Sequence, residues 1–138
     1  MTALRFLDTN VLLYAISRAL GESVKAQRAL TLLEDANWVI SVQVLQEFYV
    51  QATRSTKADP IPHAQAVALI ESWLRFRVQE NTVQVMQAAL NARPRYQISY
   101  WDAAIIEAAR AAGCREVYSE DLSTDRNYDG IRVVNPFV

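Results

Sequence analysis

Short apolar runs of strand length alternate with longer stretches of helical period along the whole chain. The runs are Leu4-Arg5-Phe6-Leu7, Trp38-Val39-Ile40, Arg77-Val78-Gln79, Glu116-Val117-Tyr118 and Ile131-Arg132-Val133-Val134. Strands separated by helices predict an α/β fold, with a mostly parallel sheet sandwiched between helices. Such a sheet collects the residues that follow its strands at one edge, and ligands bind there. The residues just behind each run are therefore the first place to look for chemistry.

Local signals divide the chain further. Asp8-Thr9-Asn10 offers helix caps, and Val11-Leu12-Leu13-Tyr14-Ala15-Ile16 starts a helix that Gly21 ends. Residues 23–36 fit an amphipathic helix with Ala26, Ala29, Leu30 and Leu33 on one face. Ser41 caps a helix over 42–54, and Lys57-Ala58-Asp59-Pro60-Ile61-Pro62 is a loop before a helix to Phe76. Thr82 caps a helix to Ala92, which Arg93-Pro94-Arg95 breaks. Ser99 opens a further helix and Gly113 closes it. Residues 122–130 read as a polar loop turning at Asp129-Gly130. Nothing resembles a repeat or a linker, so residues 1–138 are expected to form a single domain.

Four acids stand out against this frame. Asp8 follows the first run, Glu47 lies among Val44, Leu45 and Phe48, Asp102 opens a helix beside Trp101, and Asp121 follows the run ending at Tyr118. An acid in an apolar segment costs free energy unless a cation or hydrogen bonds compensate it. Each has an ordinary explanation taken singly. Asp8 can be an N-cap, Glu47 can reach solvent, Asp102 can complement a helix dipole, and Asp121 can be a loop acid. Four together point to a shared cation. Magnesium and manganese take oxygen ligands, and a pair of them can drive phosphodiester hydrolysis without any histidine.

Composition removes the competing chemistries. The single histidine, His63, follows Pro60-Ile61-Pro62, which excludes a two-histidine ribonuclease and leaves a Ser-His-Asp triad only that loop residue. The single cysteine, Cys114, excludes an intrachain disulfide or a cysteine-rich zinc site and reads as a small buried hydrophobe. With 14 basic against 15 acidic residues and a net charge of −1, bulk charge does not make this a polybasic nucleic-acid binder. A bound metal would reverse the local sign of the acid cluster for an incoming phosphate. No apolar run approaches the roughly 20 residues of a membrane helix. Asp8 also interrupts the N-terminus before a signal-peptide core can form, so a cytoplasmic protein is expected.

At this point the motifs reach a family. Phe6-Leu7-Asp8-Thr9-Asn10-Val11-Leu12, then Ile40-Ser41 with Val44-Leu45-Gln46-Glu47-Phe48, then Tyr100-Trp101-Asp102-Ala103-Ala104-Ile105, then Tyr118-Ser119-Glu120-Asp121-Leu122 resemble, in order, the four motifs of PIN-domain ribonucleases. The chain looks closest to the VapC-like toxins of bacterial toxin–antitoxin pairs. The resemblance implies a PIN-like three-layer α/β sandwich, Mg²⁺ or Mn²⁺ as cofactor, RNA cleavage, a homodimer and an antitoxin partner. It assigns metal binding and catalysis to Asp8, Glu47, Asp102 and Asp121, with Thr9, Ser119 and Asp125 in supporting parts. For RNA contacts, Arg93, Arg95 and Tyr96 lie in a predicted loop before the Asp102 helix.

Other readings stay open at this stage. The alternatives are a housekeeping PIN nuclease with no antitoxin, and a PIN module that binds RNA or a partner without cutting, which would be expected to lose acids where all four remain. A haloacid dehalogenase-type phosphatase would need a second Asp two residues after Asp8, where Asn10 stands. A phospho-receiver domain would need a lysine behind a late strand, and both lysines, Lys25 and Lys57, lie in the first half.

Overall fold

The computed structural model describes residues 3–124 and 126–138. Its sheet has six strands: β1 (Arg5–Leu7), β2 (Trp38–Ser41), β3 (Arg77–Gln79), β4 (Glu116–Tyr118), β5 (Asn127–Tyr128) and β6 (Ile131–Val134). Their order is β3-β2-β1-β4-β6-β5, and only the edge pair β5–β6 is antiparallel. In register, Phe6 of β1 lies between Val39 of β2 and Val117 of β4. All three side chains are wholly buried, as expected of parallel strands covered on both faces.

Among the described residues six α-helices supply that cover: α1 (Thr9–Ala15), α2 (Ser23–Leu33), α3 (Val42–Thr53), α4 (His63–Trp73), α5 (Val83–Tyr96) and α6 (Tyr100–Ala111). Helix α6 packs on α5 and against β2, β3, β4 and β6, while α1 packs on α2 and α3. This is the α/β sandwich expected from the alternating pattern. Among the described residues no helix is long and apolar enough to cross a membrane.

The strand order places the site. From β1 the chain moves outward through β2 and β3, then returns to the other side of β1 to lay down β4 and β6. The strand order therefore reverses between β1 and β4 while the strands stay parallel, which is where such sheets bind ligands, at the carboxyl ends of the strands. Asp8 and Ser119 are the first residues beyond them, and the Asp8 N–H still donates to the Tyr118 carbonyl at 3.0 Å.

Several local expectations need correction. Helix α1 stops at Ala15, not at Gly21, which falls in a single 3₁₀ turn over Leu20–Glu22. Helix α2 ends at Leu33, short of residue 36, and it buries Ala29, Leu32 and Leu33 while Leu30 faces solvent. Helix α5 runs through Pro94 to Tyr96. Buried Tyr96 packs edge-on to Tyr128, and Arg95 pairs with Asp129 at 3.0 Å, so tertiary contacts hold the last turn that proline weakens. The helix ends only at Gln97, in the left-handed conformation with φ 56°. The polar stretch after Asp121 contains the short strand β5. Asp129 and Gly130, with φ 55° and 94°, form the tight turn to β6 that an Asp-Gly pair favours.

Candidate functional site

Asp8 is the N-cap of α1, and its Oδ1 accepts the Thr9 N–H at 2.7 Å. Its Oδ2 accepts the Ser119 hydroxyl at 2.8 Å from beyond β4. The Ser119 oxygen in turn accepts the backbone N–H groups of Asp121 at 3.1 Å and Leu122 at 3.2 Å. That turn fixes Asp121 behind the strand end. Asn10, in the first turn of α1, directs its side-chain amide at Asp8 (3.4 Å), Ser119 (3.2 Å) and Asp121 (3.3 Å), and its carbonyl accepts from the Glu120 N–H. One amide thus ties the end of β1 to the end of β4.

Glu47 approaches from α3. Its Oε2 accepts the Thr9 hydroxyl at 3.0 Å and its Oε1 accepts the Gln43 amide at 2.7 Å. The same Gln43 amide reaches the Trp101 carbonyl at 3.3 Å, which joins α3 to the first turn of α6. Asp102 sits in that turn, where Ser99 caps the helix by accepting the Asp102 N–H. Glu47 therefore faces its neighbours on α1 and α6, and Asp102 adds its charge to theirs.

The charges of the four acids act on one another. Burial pushes the Asp8 carboxyl up to about 6, against the lowering effect of hydrogen bonds from Ser119 and Thr9, and the charges of Glu47 and Asp121 add to the rise. Partial burial also raises Asp102, opposed by Ser99 and reinforced by Asp121 and Glu47. Among the described residues, none of the four forms a salt bridge. Asp8 is 7% exposed and, among the described residues, no cationic side chain offsets its charge.

The donor set fits a hard divalent cation: four carboxylates, no sulfur or imidazole, around a crevice at the switch point of the sheet. Among the described residues, however, no three acidic, histidine or cysteine side chains already converge tightly enough to surround one ion. Gln43 and Thr9 each donate to one oxygen of Glu47, and Ser119 and Thr9 each donate to one oxygen of Asp8, which leaves lone pairs on these carboxylates for a cation with the bonds in place.

Comparison with known proteins gives the family and the fold. The family model described as PIN domain matches residues 5–129. The chain belongs to the PIN domain family. Among solved structures it is similar to a toxin–antitoxin complex from Klebsiella pneumoniae, at 19% identity and a TM-score of 0.72, over 96% of this chain and 98% of that one. It is similar to VapC20 of Mycobacterium tuberculosis, described as a toxin that cleaves the sarcin-ricin loop, at 22% identity and a TM-score of 0.67, over 85% and 89% of the two chains. It is also similar to a DNA-bound VapBC from Salmonella typhimurium, at 20% identity and a TM-score of 0.67, over 98% and 99%. At these identities the likeness is one of fold. No curated protein sequence matches the chain.

In this PIN domain Thr9 bonds both Asp8 and Glu47, Ser119 bonds Asp8 and the Asp121 backbone, and Asp102 is linked to Glu47 and Asp121 through the effect of their charges. Asp125 lies outside the described residues. Glu120 is drawn away from the acids by Lys25 at 2.6 Å and by the Tyr14 hydroxyl. Arg93, Arg95 and Tyr96 are not a loop before the site but the last turn of α5, with Tyr96 buried and Arg95 paired, so Tyr96 cannot stack on a base. Sequence reasoning missed the roles of Asn10 and Gln43. Asn10 was visible within Asp8-Thr9-Asn10. Gln43 carried only the signal of a polar residue four before Glu47 on a helix.

Proposed function

We propose that this PIN domain is a Mg²⁺- or Mn²⁺-dependent endoribonuclease, and that it is the toxin of a toxin–antitoxin pair which cuts cellular RNA to inhibit translation. The observation that carries the reading is the Asp8 carboxylate, buried without a cationic partner and within the field of other acids. Asp8, Glu47 and Asp102 would hold one ion, and Asp121 would help to hold a second. Divalent ions so bound supply an activated water and neutralise charge on the phosphodiester and its leaving oxygen.

The chain's own residues prepare that site. Ser119 and the Thr9 backbone fix both oxygens of Asp8, so its orientation is set before any ligand arrives. Asn10 holds Asp121 to the same centre. Gln43 and Thr9 hold Glu47 at the mouth of the crevice. Lys25 and Tyr14 keep Glu120 from adding one more negative charge there. Supporting parts go to Thr9 and Ser119 by these contacts, and to Asp125 by the family pattern alone.

The toxin assignment draws on the fold shared with the Klebsiella and Salmonella complexes. A homodimer is the expected assembly, and exposed Val83, Met86 and Leu90, at helical spacing on α5, offer it an apolar face near exposed Trp101. The cytoplasm, where RNA is accessible, is the expected compartment. The test is expression of the chain alone and together with the small protein encoded beside it. Growth arrest relieved by the neighbour supports a toxin. Harmless strong expression of a catalytically active protein would make it a housekeeping nuclease.

A further inference from the structure

A cleft of about 240 Å³ opens directly beside Asp121 and leads away from the acids. It runs between α1 and the end of α3, walled by Asn10, Tyr14, Gln51, Arg54, Lys57 and Asp121. We propose that this cleft is the track for the RNA strand flanking the scissile phosphate, and that Arg54 grips a phosphate of that flank, with Lys57 beside it. The inference rests on the nuclease reading above.

Three observations carry it. Glu47, Gln51 and Arg54 stand at i, i+4 and i+7 on α3 and at its C-cap, so they form one ridge from the acids to the cleft. That ridge is about 10 Å long, the length of two to three nucleotides of a stacked strand. Second, Arg54 is exposed and, among the described residues, has no carboxylate partner. Its planar fork suits bidentate contact with phosphate oxygens. Lys57 is engaged with Asp59 at 3.1 Å, a partly exposed pair weak enough for a phosphate to compete.

Third, of the two further acids of the wall, Glu120 has its charge offset by Lys25, while Glu22 accepts the Ser17 hydroxyl at 2.5 Å and keeps its charge. The remaining wall is largely polar, with Leu13 its one apolar side chain. A sugar-phosphate backbone fits such a wall better than the apolar face of a partner helix.

The test uses the full chain carrying Asp8→Asn, in chelator, so that the probe is not cut. The probe is a short fluorescein-labelled 2′-O-methyl oligoribonucleotide, and anisotropy gives Kd across a series of salt concentrations. Arg54→Gln is expected to weaken binding roughly tenfold, with a log–log salt slope shallower by about 0.7. Arg54→Lys should keep the slope and lose part of the affinity. Arg132→Gln, on β6 and paired with Glu116, should change neither. Unchanged affinity and slope for Arg54→Gln, or an equal loss for Arg132→Gln, would overturn the inference while leaving the nuclease reading in place. If the parent protein neither binds nor cleaves RNA, the nuclease reading fails and takes this inference with it.

Discussion

Replacing Asp8 with Asn should make the metal-free protein more stable while removing the activity proposed for it. The carboxyl rises from an ordinary 3.8 to about 6, chiefly through burial. At about 1.4 kcal/mol per pH unit, that rise is worth about 3 kcal/mol. Its sign follows from linkage. Below the unfolded value of 3.8, Asp8 is protonated in both states and has no effect on the pH dependence. Between there and about 6 the unfolded chain releases the proton and the folded chain keeps it, so stability falls as pH rises. Above about 6 both states are ionised and the loss levels off. Asn carries no such charge. It keeps one of the two hydrogen bonds that Ser119 and Thr9 make to Asp8, and loss of the other costs about 1 kcal/mol. The net expectation near neutral pH is a gain of about 2 kcal/mol, or a Tm higher by roughly 6–8 °C.

Thermal unfolding of both proteins in chelator, from pH 4 to pH 8, measures this. The difference between the two curves cancels exposed carboxylates such as Asp35 and Asp59, which Arg5 and Lys57 hold low and which act in the opposite direction. The gap should open between about pH 4 and pH 6. Added Mn²⁺ should then raise the parent and not the variant, closing or reversing the gap. A variant less stable than the parent across the whole range would refute the argument that burying the Asp8 charge costs more than its hydrogen bonds return.

Further outcomes are expected at other positions. Asp121→Ala should impair cleavage strongly, Asp125→Ala moderately and Glu120→Ala little, ranked by single-turnover assay at saturating metal; near-normal Asp121→Ala with Asp125→Ala most damaged would move the fourth ligand. Ser119→Ala removes a buried hydroxyl from Asp8 and should weaken Mn²⁺ affinity roughly 10- to 100-fold by calorimetry; unchanged affinity would leave Ser119 a purely structural turn residue. Gly113 closes α6 at φ 82° with an added Cβ no nearer than 4.0 Å to Leu4, so Gly113→Ala should cost about 1 kcal/mol through backbone strain alone in chemical denaturation.

Much of this architecture was legible in the sequence because local signals and tertiary demands agree. The strand-length runs became β1, β2, β3, β4 and β6, and the caps at Ser41, Thr82 and Ser99 start the helices they suggested. Cys114 is buried as a small hydrophobe would be. Disagreements arise where long-range contacts outweigh local chemistry. Pro94 reads as a breaker, yet the Tyr96–Tyr128 contact carries α5 past it. Strand β5 is two residues long and exists only through its pairing with β6.

The site follows the same division. Positions behind β1 and β4 mark Asp8 and Asp121 as neighbours once the sheet is seen to be parallel. The ordinary explanation of Asp8 as an N-cap also holds, since one oxygen caps α1 while the other meets Ser119. What the sequence could not show is the wiring between distant segments. Asn10 meets Asp121 across 111 residues and Gln43 meets Trp101 across 58, and no local pattern encodes either contact.

Cleavage of RNA by the purified chain, in chelator and after stepwise return of Mg²⁺ or Mn²⁺, tests the central claim most directly. Asp8→Asn purified in parallel controls for contaminating ribonuclease. The expected result is no cleavage in chelator, recovery with either ion, and none from Asp8→Asn under any condition. Full activity of the parent in chelator, with the Asp8→Asn preparation silent, would contradict it.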